Sequence, residues 1–200
     1  MPSRLSRDEA WSLLSEWVAS ESLRRHCLAV EASMRAYARR EGADEELWGV
    51  VGLLHDMDYE RFPDMDAQDG HPRTTIRVLT ERGVDPVVVR AIASHADFMD
   101  VPRETPMEKT LYAVDELSGF VLACAYVRPQ GIEGLTPKSV KKKLRQPSFA
   151  AAVNRDEVRE GAEQLGVDFD EHVALVISAL AGRAGELGIE PSRETAPEAT

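Results

Sequence analysis

The run LWGVVGLL, Leu47 to Leu54, ends on His55-Asp56, and this junction restricts the fold more than any other stretch of the chain. A segment that apolar, opened by Asp44-Glu45-Glu46, predicts a helix buried on most sides. Two of the most polar side chains available follow at its end. Burying an imidazole and a carboxylate without partners costs several kcal/mol per group, roughly, so something must compensate. A bound cation is one such partner, because His offers nitrogen and Asp offers oxygen to the same ion. A bare His-Asp pair is more often a cap or a salt bridge, so the reading depends on what accompanies it.

The flanking segments predict helices throughout. Ser6-Arg7-Asp8-Glu9 has the form of a capping box and precedes Ala10, Trp11, Leu13, Leu14, Trp17 and Val18 at helical spacing. Leu23, Cys27, Val30, Met34 and Tyr37 form a second stripe, and His26 lies on it. A lone His there is ordinarily a satisfied core residue. Cys27 reads as plain core, since adjacent helix positions do not face each other and His26 cannot activate it.

After His55-Asp56 comes DYERFPDMDAQDG, an acidic loop by composition. His71-Pro72 opens a short helix with Ile76 and Leu79 inward, and Asp85-Pro86 opens another whose inward face includes His95. Thr105-Pro106-Met107-Glu108 starts a longer helix, on which Asp115 falls among Leu111, Val114 and Leu117. Asn154 to Glu157 and Asp168 to Glu171 are further start signals, for helices ending near Gly166 and Gly188, with His172 expected at the surface. No strand alternation, hairpin signal or repeat appears. The expectation is an all-α bundle of about eight to ten helices with a metal site at its centre. It would form a single domain over residues 1–188: a metal-binding core at about 23–127, an extension at 136–188, and a disordered tail at 189–200.

Composition narrows the function. A net charge of −11 argues against general nucleic-acid or membrane-surface binding, which need a basic face. Two cysteines without a CxxC suggest neither a disulfide scaffold nor a thiolate zinc site. The N-terminus lacks the apolar core of a signal peptide, and the longest apolar stretch, Leu111 to Val127, carries Asp115 and Glu116. The expected setting is the cytoplasm, with no membrane and no stable nucleic-acid partner, and a homodimer left open.

The inward polar residues form one set: His26, His55, Asp56, His71, His95 and Asp115. Six N/O ligands exceed one tetrahedral ion and suit two ions sharing a carboxylate. Without thiolates, the candidate ions are manganese, iron, magnesium, cobalt or zinc, one or two per chain. The order H…HD…H…H…D resembles the HD superfamily of metal-dependent phosphohydrolases, over roughly Leu23 to Val127. The resemblance rests on the H of RRHCLAVE, the HD of GLLHDMDYE, the H of DGHPRTT, the H of AIASHADF and the D of YAVDELSG. VRP at Val127 to Pro129, with VKKKL and FAAAVNR after it, is similar to small stand-alone HD proteins of undefined substrate.

That resemblance implies a primary metal on His26, His55, Asp56 and Asp115. His71 and His95 would complete a second site, with Asp56 bridging. The sequence departs from the cyclic-dinucleotide phosphodiesterase branch: Tyr59 stands where a Lys is usual, the GYP signature is missing, and Ala96 follows His95. The same ligand order occurs in di-iron oxygenases of the myo-inositol oxygenase type, whose corresponding Lys is also absent here. A metal-stabilised binding or regulatory module with little turnover is a third class.

The expected reaction is hydrolysis of a phosphate ester or anhydride of a small, nucleotide-like substrate by a metal-activated water. Asp56 would bridge and orient the nucleophile. Asp58 or Glu60, on the loop just past the ligands, would protonate the leaving oxygen. The segment KSVKKKLRQ, Lys138 to Gln146, is the dense basic cluster of an acidic chain. Either it is a solvated helix face, or Lys141 and Arg145, four apart, contact the substrate phosphate together with Arg128 and Arg155.

Overall fold

A computed structural model describes residues 4–192 of the chain. Ten α-helices and one short 3-10 turn make up its regular structure, with no strand among the described residues. Two 21-residue helices form the centre: α2 (Glu21–Glu41) and α6 (Pro106–Tyr126). Around them lie α1 (Arg7–Trp17), α3 (Glu45–Leu54), α4 (Arg73–Glu81) and α5 (Pro86–Ser94). The C-terminal part adds α7 (Pro137–Leu144), α8 (Arg155–Leu165), α9 (Phe169–Ala181) and α10 (Ala184–Leu187). None of the described helices is long and apolar enough to cross a membrane.

The helix starts follow from local chemistry. Ser6 with Glu9 and Thr105 with Glu108 form complete capping boxes, so backbone donors that have no partner within the helix are satisfied. Asp44 accepts from Leu47 N at the head of α3, and Asn154 and Asp168 do the same for α8 and α9. Pro stands at the first position of α5, α6 and α7, where a missing N–H costs nothing. Gly166 ends α8 in the left-handed conformation.

Helix α2 packs against α3, α6 and α9, and α6 packs against α8 and α5. The crossing of α3 on α2 is close because position 52 is glycine. A Cβ there would meet the backbone N and Cα of Glu31 at 3.0 Å. Across the α2–α6 contact, the buried hydroxyls of Ser33 and Ser118 lie 2.9 Å apart, and Ser33 also donates to Ala29 O. His26, His55 and Asp115 thus sit on three helices locked to one another.

Two expectations are corrected here. His172 is fully buried, not at the surface: it joins α9 to α2 and α6, with Nε2 donating to Ala113 O at 3.0 Å and Nδ1 accepting from the Tyr37 hydroxyl. Its first-turn position suggested exposure, but α9 packs against both α2 and α6. The tail boundary at 189 is also too early. Ile189 is buried and its carbonyl accepts from Ile132 N at 2.9 Å, and Ser192 N donates to Pro129 O at 2.8 Å. Residues 193–200 of that tail lie outside the described residues.

Candidate metal centre

The six inward residues gather into two trios, His26–His55–Asp115 and Asp56–His71–His95. Helix α2 supplies His26 and α6 supplies Asp115. His55 and His95 are the C-terminal cap residues of α3 and α5, and Asp56 follows His55. His71 arrives by another route. The loop over residues 58–70 folds back so tightly that a Cβ on Gly70 would fall 1.7 Å from Asp64 O, and His71 N then donates to Phe62 O at 2.8 Å.

Donor spacing in the first trio is regular. His26 Nε2 lies 3.0 Å from Asp115 Oδ1, and His55 Nε2 lies 3.3 Å from both. In the second, His71 Nε2 lies 3.3 Å from His95 Nε2 and 3.3 Å from Asp56 Oδ1, and His95 Nε2 is 3.9 Å from that oxygen. Asp56 also reaches the first trio, with Oδ2 3.5 Å from His26 Nε2 and Oδ1 3.5 Å from His55 Nε2. Ligands about 2.1 Å from one centre, at angles of roughly 90–110°, stand about 3.0–3.4 Å apart. Five of the six within-trio separations match that spacing.

Tautomers sharpen the fit. His55 Nδ1 lies 2.8 Å from Gly52 O, His95 Nδ1 2.5 Å from Ile92 O, and His71 Nδ1 2.7 Å from Asp58 Oδ1. Those oxygens only accept, so each Nδ1 carries the hydrogen and each neutral ring turns an Nε2 lone pair inward. Lone pairs and carboxylate oxygens facing one another at these distances repel unless a cation or protons lie between them. The donor set of imidazole and carboxylate, with no thiolate, fits a divalent cation in each trio.

The charges respond accordingly. Burial opposes charge on His55, but Asp56 and Asp115 outweigh it and push its pKa up to about 10. Burial, then the neighbouring His55, bring His95 down to about 4. Asp115 stays well below the usual carboxylate range although burial alone would raise it, because His55 and His26 face it. Glu116, next in the chain, goes the other way: burial, Asp115 and Glu157 push it up to about 7. Divalent ions would replace the protons that these imidazoles otherwise take up.

Two proposed proton donors do not stand where the loop reading put them. Asp58 is fully buried, with one oxygen facing His71 Nδ1 and the other accepting from Thr75 N at 2.7 Å. Both oxygens therefore accept, and Asp58 positions His71 instead of donating a proton. Glu60 is taken up by the N-terminal cap of α2, accepting from Ala19 N at 3.0 Å and Ser20 N at 2.8 Å. The Asp58–His71 contact spans 13 residues through a loop and leaves no periodic signal, though an Asp two after the HD pair was visible in the sequence.

Three of the four basic candidates, Arg128, Arg155 and Lys141, have partners elsewhere. Arg128 clasps its own loop, donating to Gly131 O at 3.0 Å and Glu133 O at 2.7 Å. The Arg155 guanidinium holds the carbonyls of Leu144, Gln146, Phe149 and Val153. Lys141 pairs with Asp170 at 2.7 Å, and Lys141 and Arg145 line a cavity that includes none of the six ligands. Arg128 and Arg155 are structural clasps, because loop carbonyls that cannot reach helix partners need donors.

Residues 23–119 match the model of the HD domain family, a stretch that contains all six ligands. The chain carries an HD domain. HD domains bind divalent metals and are generally metal-dependent phosphohydrolases. The all-helical fold agrees with that assignment. No curated protein and no solved structure matches the chain.

Proposed function

We propose that this HD domain is a phosphohydrolase that cleaves a phosphate ester or anhydride of a small, nucleotide-like substrate at a centre of two divalent ions. The observation that carries the reading is Asp56, whose two oxygens stand within 3.5 Å of His26, His55 and His71 and so reach both trios. His26, His55 and Asp115 would hold one ion, His71 and His95 the other, and Asp56 would bridge. Ions held there supply a water acidified toward neutral pH and positive charge for the phosphoryl oxygens.

The chain's own residues do the rest. The Gly52 and Ile92 carbonyls and the Asp58 carboxylate orient the imidazoles of His55, His95 and His71, which lowers the reorganisation those three ligands need on binding. Asp56, partly exposed beside the buried His55, would orient an incoming nucleophile. Arg128 and Arg155 are spent on loop carbonyls, so phosphate charge would be met mainly by the ions.

The test is metal analysis of anaerobically purified protein, followed by turnover of phosphomonoesters, phosphodiesters and nucleotides with manganese, iron, magnesium, cobalt or zinc. The expected result is close to two ions per chain and oxygen-independent release of phosphate or nucleotide. Substrate-dependent oxygen uptake without a phosphorus product would overturn hydrolysis in favour of oxygenase chemistry. Tight metal binding without turnover across the panel would leave a binding module. A stoichiometry near one, unchanged by His71→Ala with His95→Ala, would remove the second ion.

A further inference from the structure

The basic stretch at Lys138 to Arg145 is not absorbed by the metal centre. The structure sorts its members by face. Lys142 is exposed, Lys143 sits 4.5 Å over the Phe149 ring, and Lys141 and Arg145 turn together onto a cavity of about 360 Å³ between α7, α8 and the start of α9. The rest of its lining is Leu144, Arg159, Ala162, Glu163, Val167 and Phe169. Helix α8 presents this face away from α6, since Val158 and Gly161 are buried and Gly161 lies directly on Ala113 of α6.

The floor and the rim differ in chemistry. Leu144, Ala162, Val167 and Phe169 are apolar, and Phe169 is only half-buried, so the cavity keeps an aromatic side chain in its lining. At the rim, three cations, Lys141, Arg145 and Arg159, oppose one carboxylate, Glu163. Arg159 pairs with the largely exposed Asp156, and Lys141 with Asp170. Arg145 is exposed and makes no ion pair among the described residues, so its guanidinium has donors to offer. In a chain of net charge −11, whose general field repels anions, Arg145 is the rim cation that no ion pair neutralises among the described residues, and it gives the cavity its local point of attraction. The cavity volume falls within the range of small-molecule pockets.

We propose that this cavity binds a small anion with an apolar body, an aromatic or short-acyl carboxylate, sulfonate or phosphate, with its body on Phe169 and Leu144 and its charge on Arg145 and Arg159. It is independent of the reading of the metal centre, since the two share no residue. The guanidinium planes suit two-pronged recognition of such oxyanions.

Calorimetric titration of the full, metal-loaded chain with naphthalene-2-sulfonate tests it. One saturable site is expected, weakened about tenfold or more by Arg145→Glu combined with Arg159→Glu, with circular dichroism and bound metal unchanged. Both positions are exposed, so the variant is expected to fold. Neutral 2-naphthalenemethanol and inorganic sulfate should each bind at least tenfold more weakly than the sulfonate. Four results would each overturn the proposal: no saturable binding, binding unaffected by the double variant, equal binding of the neutral alcohol, or equal binding of sulfate.

Discussion

Asp58 has two oxygens and each has one donor: His71 Nδ1–H on one, Thr75 N–H on the other. A carboxylate can accept both, whereas an amide has only one acceptor oxygen. Asp58→Asn therefore leaves one donor facing an NH₂ group in a fully buried place and lowers the basicity of His71. Outer partners of this kind are worth about 10–100-fold in metal affinity. Anaerobic titration should show the ion of the Asp56–His71–His95 trio loosened by that factor, while the trio of His26, His55 and Asp115 keeps its ion. If Asp58→Asn binds two ions as tightly as the parent, the carboxylate does not position His71. By the same accounting of donors, Glu60→Gln should leave metal binding unchanged, since Glu60 accepts only from Ala19 N and Ser20 N.

Among the elements, the α2–α3 crossing determines whether His26 and His55 can meet. Gly52→Ala would bring a Cβ to 3.0 Å from the Glu31 backbone and 2.9 Å from Met34 Cγ. Met34 can turn aside, but backbone cannot, so α3 must shift. Overpacking of this kind costs about 1–3 kcal/mol, to be read from the denaturant midpoint. The shift also moves Gly52 O, which orients His55, so metal affinity should fall in parallel. Unchanged stability together with unchanged metal content would show that the crossing has slack. This crossing also marks where the sequence ceases to be informative. Capping signals at Ser6, Asp44, Thr105 and Asn154 fix helix starts because the partners lie two or three residues away. The inward positions of His26, His95 and Asp115 were readable from helical spacing. By contrast, Arg155 looked like a free cation because its four carbonyl partners lie at the end of α7 and in the loop after it, which turns back on it. Asp58 looked like open loop because Thr75 is 17 residues on. Spacing reports which face of a helix is wet, and says nothing of which loop will fold over it.

For the whole molecule, one buried polar relay ties the C-terminal helices to the ligand-bearing ones. His172 of α9 bridges Tyr37 of α2 and Ala113 of α6, two residues before Asp115. Because Ala113 O can only accept, Nε2 holds the hydrogen, Nδ1 accepts from Tyr37, and the ring is neutral. Burial is the main cause that brings its pKa down from 6.5 to about 4; the Ala113 hydrogen bond opposes this and Arg40 adds to it slightly. The unfolded chain therefore binds this proton between pH 6.5 and 4 while the folded chain does not. Above pH 6.5 the residue costs nothing, and as pH falls toward 4 the unfolded state gains, by about 3 kcal/mol in total. His95, which burial and then His55 bring down to about 4, loses stability in the same window, so the comparison must be differential. Stability of the parent and of His172→Gln, each measured by urea unfolding at pH 7.5 and pH 5 in the presence of chelator, isolates the term. The variant should be less stable at pH 7.5, because it loses the bridge, yet it should lose less on acidification. Two parallel pH profiles would mean that His172 takes up its proton in the folded protein as readily as in the unfolded chain, and the neutral relay would be wrong.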